Sequence, residues 1–162
     1  MYYTLYMAIW KQPPIIKVYE ALGSIADDRI TIEGNTAKIY SSSGNKFYEV
    51  TYDPNTSSIM CNDNGSYWTG YLGYPAIAFL LIRGIIPYDD ASAQILKDIK
   101  WKDINQDFKN DFSKTEKYCQ DLVISRNGDL NALLKDINRI YAHITAHPYN
   151  LLGTKIKPPS GY

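Results

Sequence analysis

The chain has 162 residues, of which 45% are hydrophobic and 21% charged, enough length and apolar content for one compact domain. Lys plus Arg and Asp plus Glu each total 17, so the formal charge is zero and no long-range field draws the molecule to a phosphate backbone; a general nucleic-acid coat protein is disfavoured. The longest apolar stretch, Tyr74 to Ile86, contains Arg83 and is shorter than the roughly 20 residues a bilayer crossing needs, so no membrane span is expected.

The chain opens on an apolar, aromatic run, Met1 to Trp10, with neither the basic leader nor the small-residue cleavage site of a signal peptide, and export is not expected. Met7 offers a second start, so residues 1–6 read equally as an extension or as a short edge strand. Pro13-Pro14 suits a helix entrance, because proline in the first turn gives up no N–H that the helix uses. Ile15, Val18, Tyr19, Leu22 and Ile25 then recur at helical spacing and predict a helix over 14–26. Four strands follow, at 29–33, 37–40, 46–52 and 57–60, separated by Gly34-Asn35, Ser42-Ser43-Gly44-Asn45 and Asp53-Pro54-Asn55-Thr56, which are turn residues at hairpin intervals. Tyr48, Val50 and Tyr52 alternate onto one side, so the sheet is expected to be antiparallel with one face covered by helices.

The aromatic and glycine-rich passage Ser66 to Tyr74 reads as a close loop or a last strand. Pro75 to Arg83 is apolar throughout and predicts a buried central helix that stops before Gly84. Asp89-Asp90 offers a cap for a helix through about Ile99, and a further helix is predicted over 113–124, ending at Asn127-Gly128. In the last helix Asp129 is the cap, and Leu130, Leu133, Leu134, Ile137, Ile140, Tyr141 and Ile144 form a continuous apolar stripe that can pack inside the monomer or against a second copy, the first being favoured because an apolar helix face is usually core. Residues 1–150 are thus read as a single α+β domain: an N-terminal helix, a small antiparallel sheet of four or five strands, and a helical C-terminal half on one sheet face. Residues 151–162 are read as a flexible tail. Charges from Asp89 to Asp121 alternate in sign, the pattern of a solvated helical face, and receive no role.

Cys61 and Cys119 stand far apart and outside any close-spaced ligand pair, so both are expected as free thiols, and the protein as cytoplasmic. A thiol at Cys61, beside Asp63 and Asn64, would need a histidine nearby to become a nucleophile. The two histidines, His143 and His147, are four apart on the last helix but lack the intervening Glu of a His-Glu-x-x-His site. No phosphate loop and no dinucleotide fingerprint is present, and Asp63-Asn64-Gly65 places Met60 and Tyr71 where a calcium loop needs carboxylates. Tyr67, Trp68, Tyr71 and Tyr74 cluster beside flexible glycines and read either as core packing or as an exposed surface that anchors a partner or stacks on unpaired bases.

The segment Lys38 to Tyr52, then Cys61-Asn62-Asp63, then Tyr74-Pro75-Ala76 to Gly84, resembles a SWIM-type zinc finger that has lost its zinc ligands. That family pairs a hairpin with a helix and binds zinc through Cys-x-Cys and Cys-x-His. The matching positions here are Cys61, Asp63, Tyr74 and Ala76, and alanine cannot bind a metal, so zinc is not carried over. The whole chain also resembles small uncharacterised conserved archaeal proteins. The resemblance implies binding rather than catalysis, to nucleic acid or protein. The resulting expectation is a non-enzymatic interaction module without cofactor or metal, using the Tyr67, Trp68, Tyr71 and Tyr74 surface, with a second copy of the chain as the foremost partner. Nucleic acid is one alternative, and an enzyme built around Cys61, Asp63 and His143 is another.

Overall fold

The computed structural model describes residues 8–160. The reading of residues 1–6 lies outside them. Helix α1 (Ile16–Ala26) follows the proline pair, and its C-terminal turn is closed by Asp28 at a φ of 54°, which swings the chain into the sheet. Strands β1 (Ile30–Glu33), β2 (Thr36–Tyr40), β3 (Phe47–Asp53) and β4 (Ser58–Cys61) form antiparallel neighbours in chain order. Their alternation sorts the side chains as expected. Ala37, Ile39, Tyr48 and Val50 are buried, while Thr36, Lys38, Glu49 and Thr51 face solvent on the other side.

After β4 the chain makes a π-helical turn (Gly65–Thr69) and enters α2 (Tyr74–Ile82), with Pro75 in its first turn. Burial of Pro75 through Leu81 makes α2 the centre of the core, packed between α1 and the sheet. The remaining helices are α3 (Asp90–Gln94), α4 (Trp101–Asp107), α5 (Phe112–Ser125) and α6 (Leu130–Ala146). Asp89 and Asp129 cap α3 and α6 by accepting from the Ala91 and Ala132 amides, each at 3.0 Å. The α6 stripe packs inside the molecule, with Leu133, Ile137, Ile140 and Ile144 buried.

Three elements depart from the sequence expectation. The helix predicted from Asp89 to Ile99 ends at Gln94; the chain then turns through left-handed Asp98 (φ 62°), and a separate helix, α4, follows. The 66–74 passage is neither loop nor full strand: it holds the π-helical turn, and Tyr71 bridges to Lys11. The expected tail begins inside the sheet, because β5 (Asn150–Leu151) runs parallel to β4 with Leu151 opposite Ile59. Local propensity cannot signal a two-residue strand whose pairing comes from the far end of the chain. Among the described residues no helix is long and apolar enough to cross a membrane.

Candidate functional site

Lys17 and Glu20 lie one turn apart on α1, which puts both side chains on the same face. They form an ion pair at 2.7 Å, and Glu20 also accepts from Asn105 Nδ2 of α4 at 3.1 Å. Thr115 of α5 donates to the Asn105 carbonyl at 2.9 Å, so three helices are tied together behind one carboxylate. Only 4% of Glu20 is exposed, a burial tolerable because both oxygens are partnered. Desolvation pulls the Lys17 ammonium down, but Glu20, Tyr71 and Asp63 override it, and its pKa ends above the usual 10.5.

Arg29 leaves the turn after α1 and is anchored by Nη1 donating to the Tyr40 carbonyl at 2.6 Å and by Nε lying 3.4 Å from Asp27. Its Nη2 is buried with no partner, as is the Nε1–H of Trp101, a residue 3% exposed. Trp101 reaches α1 because residue 23 is glycine; a Cβ there would stand 2.7 Å from the indole nitrogen. The β2–β3 loop closes this end, with the Ser42 hydroxyl accepting from the Lys102 amide at 3.1 Å and Ser41 and Ser43 hydroxyls 3.1 Å apart.

Asp63 closes the opposite end. Its Oδ1 accepts from the Cys61 thiol at 2.8 Å and from the Ser66 hydroxyl, and its Oδ2 from the Ser66 amide at 3.3 Å. The Ser66 hydroxyl in turn accepts from the Gly73 amide at 3.1 Å, which fastens the π-helical turn to the start of α2. Burial first, and the Asp63 charge second, push the Cys61 thiol well above its ordinary value of 9.0, so it stays protonated. Burial likewise raises the Tyr74 phenol, although the neighbouring Arg29 opposes the shift.

Between these ends lies a cleft of about 410 Å³, floored by Lys17, Glu20, Arg29 and Tyr74 and walled by Lys46, Asp63, Trp68, Trp101, Lys102 and Asn105. Its lining carries four cationic side chains against two carboxylates. The two phenols and two indoles around it give apolar area beside a small number of placed polar groups, the usual make-up of a small-molecule site.

The four ring residues expected to form one recognition surface are divided. Trp68 is 68% exposed at the cleft rim and stands edge-on to Tyr67, with centroids 4.7 Å apart. Tyr71 is only 9% exposed and packs over Gly65, where a Cβ would overlap its ring. Tyr74 turns into the cleft, edge-on to Tyr48. Half the set therefore lines the cleft, and the four do not make a single solvent-facing patch, because burial of Tyr71 and Tyr74 contributes more than exposure would. The proposed Cys61, Asp63 and His143 grouping is not assembled either: Cys61 bonds to Asp63, whereas His143 on α6 stacks on His147 at 4.6 Å.

The positions matched to zinc ligands partly converge, Cys61 on Asp63 and the Ala76 amide beside the thiol. Among the described residues no three His, Cys, Asp or Glu side chains are grouped so as to hold a metal ion. Sequence reasoning passed over Lys17, Glu20, Arg29, Lys102 and Asn105. The last two sit in the stretch read as a merely solvated face, and their one local signal is the Trp101 beside them, a large apolar residue in a charged run. A family model of conserved proteins described as uncharacterised matches residues 10–150, which include every residue of the cleft. No curated protein and no solved structure matches the chain.

Proposed function

Since the chain belongs to the family of uncharacterised conserved proteins UCP014422, whose description names neither a zinc finger nor an activity, we propose from the cleft itself that the protein is a non-enzymatic binding module for a small polar ligand. The observation that carries this reading is the buried Lys17–Glu20 pair in the cleft floor, held by Asn105 and Thr115, beside donors that lack acceptors. Burying charge is costly, and a polar network ordered to this degree is typical of recognition sites. Turnover is disfavoured by the state of the reactive groups. Lys17 is kept charged, the Cys61 thiol and Tyr74 phenol are kept protonated, and no histidine lines the cleft among the described residues.

The test is a thermal-shift and NMR screen against small polar metabolites. Ligands that bind raise the melting temperature by mass action and move amide signals around Glu20, Asn105 and Trp101. Gln106→Trp, at an exposed position of the cleft wall, fills the opening and abolishes both effects. A panel in which no compound moves a cleft signal, or in which Gln106→Trp binds as well as the parent, removes the reading.

Self-association is a second reading, favoured by the exposure of Trp68 beside Tyr67. Light scattering on a sizing column is expected to give a dimer mass that reverts to monomer in Trp68→Ser; a monomer at high micromolar concentration counts against it. The SWIM-type likeness and its nucleic-acid reading rest on the Lys38–Tyr52 segment, which forms the β2–β3 hairpin, followed by Cys61–Asp63 and α2, and they fail if single- and double-stranded probes do not bind at low salt.

A further inference from the structure

We infer that the ligand of the cleft is a neutral sugar, whose ring lies on Trp68 and whose hydroxyls are read by the side-chain amides of Asn64, Gln106 and Asn110. This rests on the cleft being a ligand site, and it adds the chemical class of the ligand. The charges of the cleft are already answered within the chain. Lys17 is paired with Glu20, and Arg29 with Asp27 and the Tyr40 carbonyl. The Lys46 ammonium lies over the Tyr48 ring at 5.5 Å, and neither it nor Lys102 is free. Asp63 holds three donors of its own. A ligand with a net charge therefore meets no open countercharge, and matching it would break one of these contacts.

What stands open is neutral. The amides of Asn64, Gln106 and Asn110 are exposed in the lining and form no side-chain hydrogen bond among the described residues. Each offers N–H donors and a carbonyl acceptor, and the Glu20 and Asp63 carboxylates of the cleft keep lone pairs to spare. Hydroxyls answer such a set, because each both donates and accepts and brings no charge. Trp68 supplies the apolar half. It is the most exposed large apolar side chain among the described residues, whereas Trp101 and Tyr48 are buried, so the cleft has one open ring and not the two-sided slot in which a flat base stacks. A pyranose has an apolar C–H face for that ring and hydroxyls around its edge for the amides.

These groups are positioned before a ligand arrives. Asn64 precedes the π-helical turn and Trp68 lies in it; Asp63 and Ser66 fasten that turn to α2, and π turns recur at functional sites. Lys109 and Asn110 are both left-handed (φ 51° and 60°), a backbone that costs most residues energy and that Asn tolerates best. The Asn110 backbone N–H donates to the Asn105 carbonyl at 2.8 Å, and the Asn105 side chain is bonded to Glu20, so the open amide is tied to the buried pair in the floor. Fixed placement of this kind lowers the entropy lost on binding.

The full chain is titrated with D-glucose, D-galactose, D-mannose and maltose, and separately with inorganic phosphate and with adenosine, and read by the Trp68 indole and the Asn64, Gln106 and Asn110 side-chain NMR signals. Saturable shifts in the millimolar range are expected for at least one sugar and for neither phosphate nor adenosine. Trp68→Ala is expected to weaken the sugar about tenfold and Trp68→Phe far less, since a ring remains. Asn64→Ala and Asn110→Gly remove exposed amides, the glycine accepting the left-handed backbone, and each is expected to weaken binding about fivefold. Phosphate, adenosine or another metabolite that moves cleft signals while all four sugars leave them still would overturn the sugar assignment and leave the cleft reading standing. Silence from all cleft signals toward every compound would remove both. Sugar shifts that survive Trp68→Ala, Asn64→Ala and Asn110→Gly unchanged would also overturn the assignment, since binding would then lie elsewhere.

Discussion

At Gly73 the backbone is ordinary, with φ at −74° and ψ at 163°, so glycine is required there by space and not by conformation. A Cβ would overlap the Asp63 carboxylate, whose three acceptor contacts hold the π-helical turn against α2. Gly73→Ala is therefore expected to cost about 1–3 kcal/mol, as overpacking a closed site does, and urea denaturation measures it. An unchanged midpoint would show that Asp63 has room to move. Cys61 supports the same carboxylate as a protonated donor, not as a nucleophile. Its raised pKa predicts that a thiol reagent at about pH 8 modifies it in the native protein no faster than the molecule unfolds, and that Cys61→Ala leaves ligand binding intact. Rapid labelling of the folded chain would contradict that assignment. The sequence put Cys61 and Asp63 side by side in a turn, and this much of the site was legible. The Ser66 and Gly73 contacts that decide what the pair does depend on the fold of the turn.

Among the elements, α6 was readable almost to the residue, because its cap and its stripe are both local signals: Asp129 accepts from Ala132, and the apolar positions recur with the period of the helix. Ile140→Ala is expected to destabilise by about 2–5 kcal/mol and Asp129→Ala by about 1 kcal/mol, both read from denaturant midpoints. A loss at Ile140 below that of Asp129 would mean the stripe is less well packed than its burial indicates. Helix α4 was not legible. It has seven residues, its apolar members Trp101 and Ile104 sit among charges, and no side-chain cap marks its start. What stabilises it is tertiary: Trp101 packed on Gly23 and Asn105 bonded between Glu20 and Thr115. Short helices gain too little from propagation to announce themselves, and their stability comes from what they pack on. The cleft lies between α4 and elements many residues earlier, so missing α4 meant missing the site.

For the molecule as a whole, the buried titratable groups shift in a common direction. Cys61 and Cys119 rise above 9.0, Tyr19 and Tyr149 rise from 10.0 to about 12, and Lys17 rises above 10.5. Burial drives the thiols and phenols, which lose hydration when charged, and the Glu20 charge raises Lys17 against its burial. In each case the folded state keeps a proton that the unfolded chain releases. The stability they contribute is complete below about pH 9 and drains away as pH climbs toward about 12, so the melting temperature should fall across that window. A flat profile between those limits would mean the groups are better hydrated than their burial implies.

Composition, turn residues and hydrophobic period determined the α+β class, the order of the first helix and four strands, and the cap and apolar stripe of α6, because each is set by neighbours within a few residues. The parallel pairing of β5 with β4, the division of the four aromatic rings between core and rim, and the meeting of Lys17, Glu20, Arg29, Lys102 and Asn105 were decided by the tertiary structure alone. These join parts of the chain as far apart as Glu20 and Asn105, and such contacts are selected by the free energy of closing one core around α2, which no local window contains.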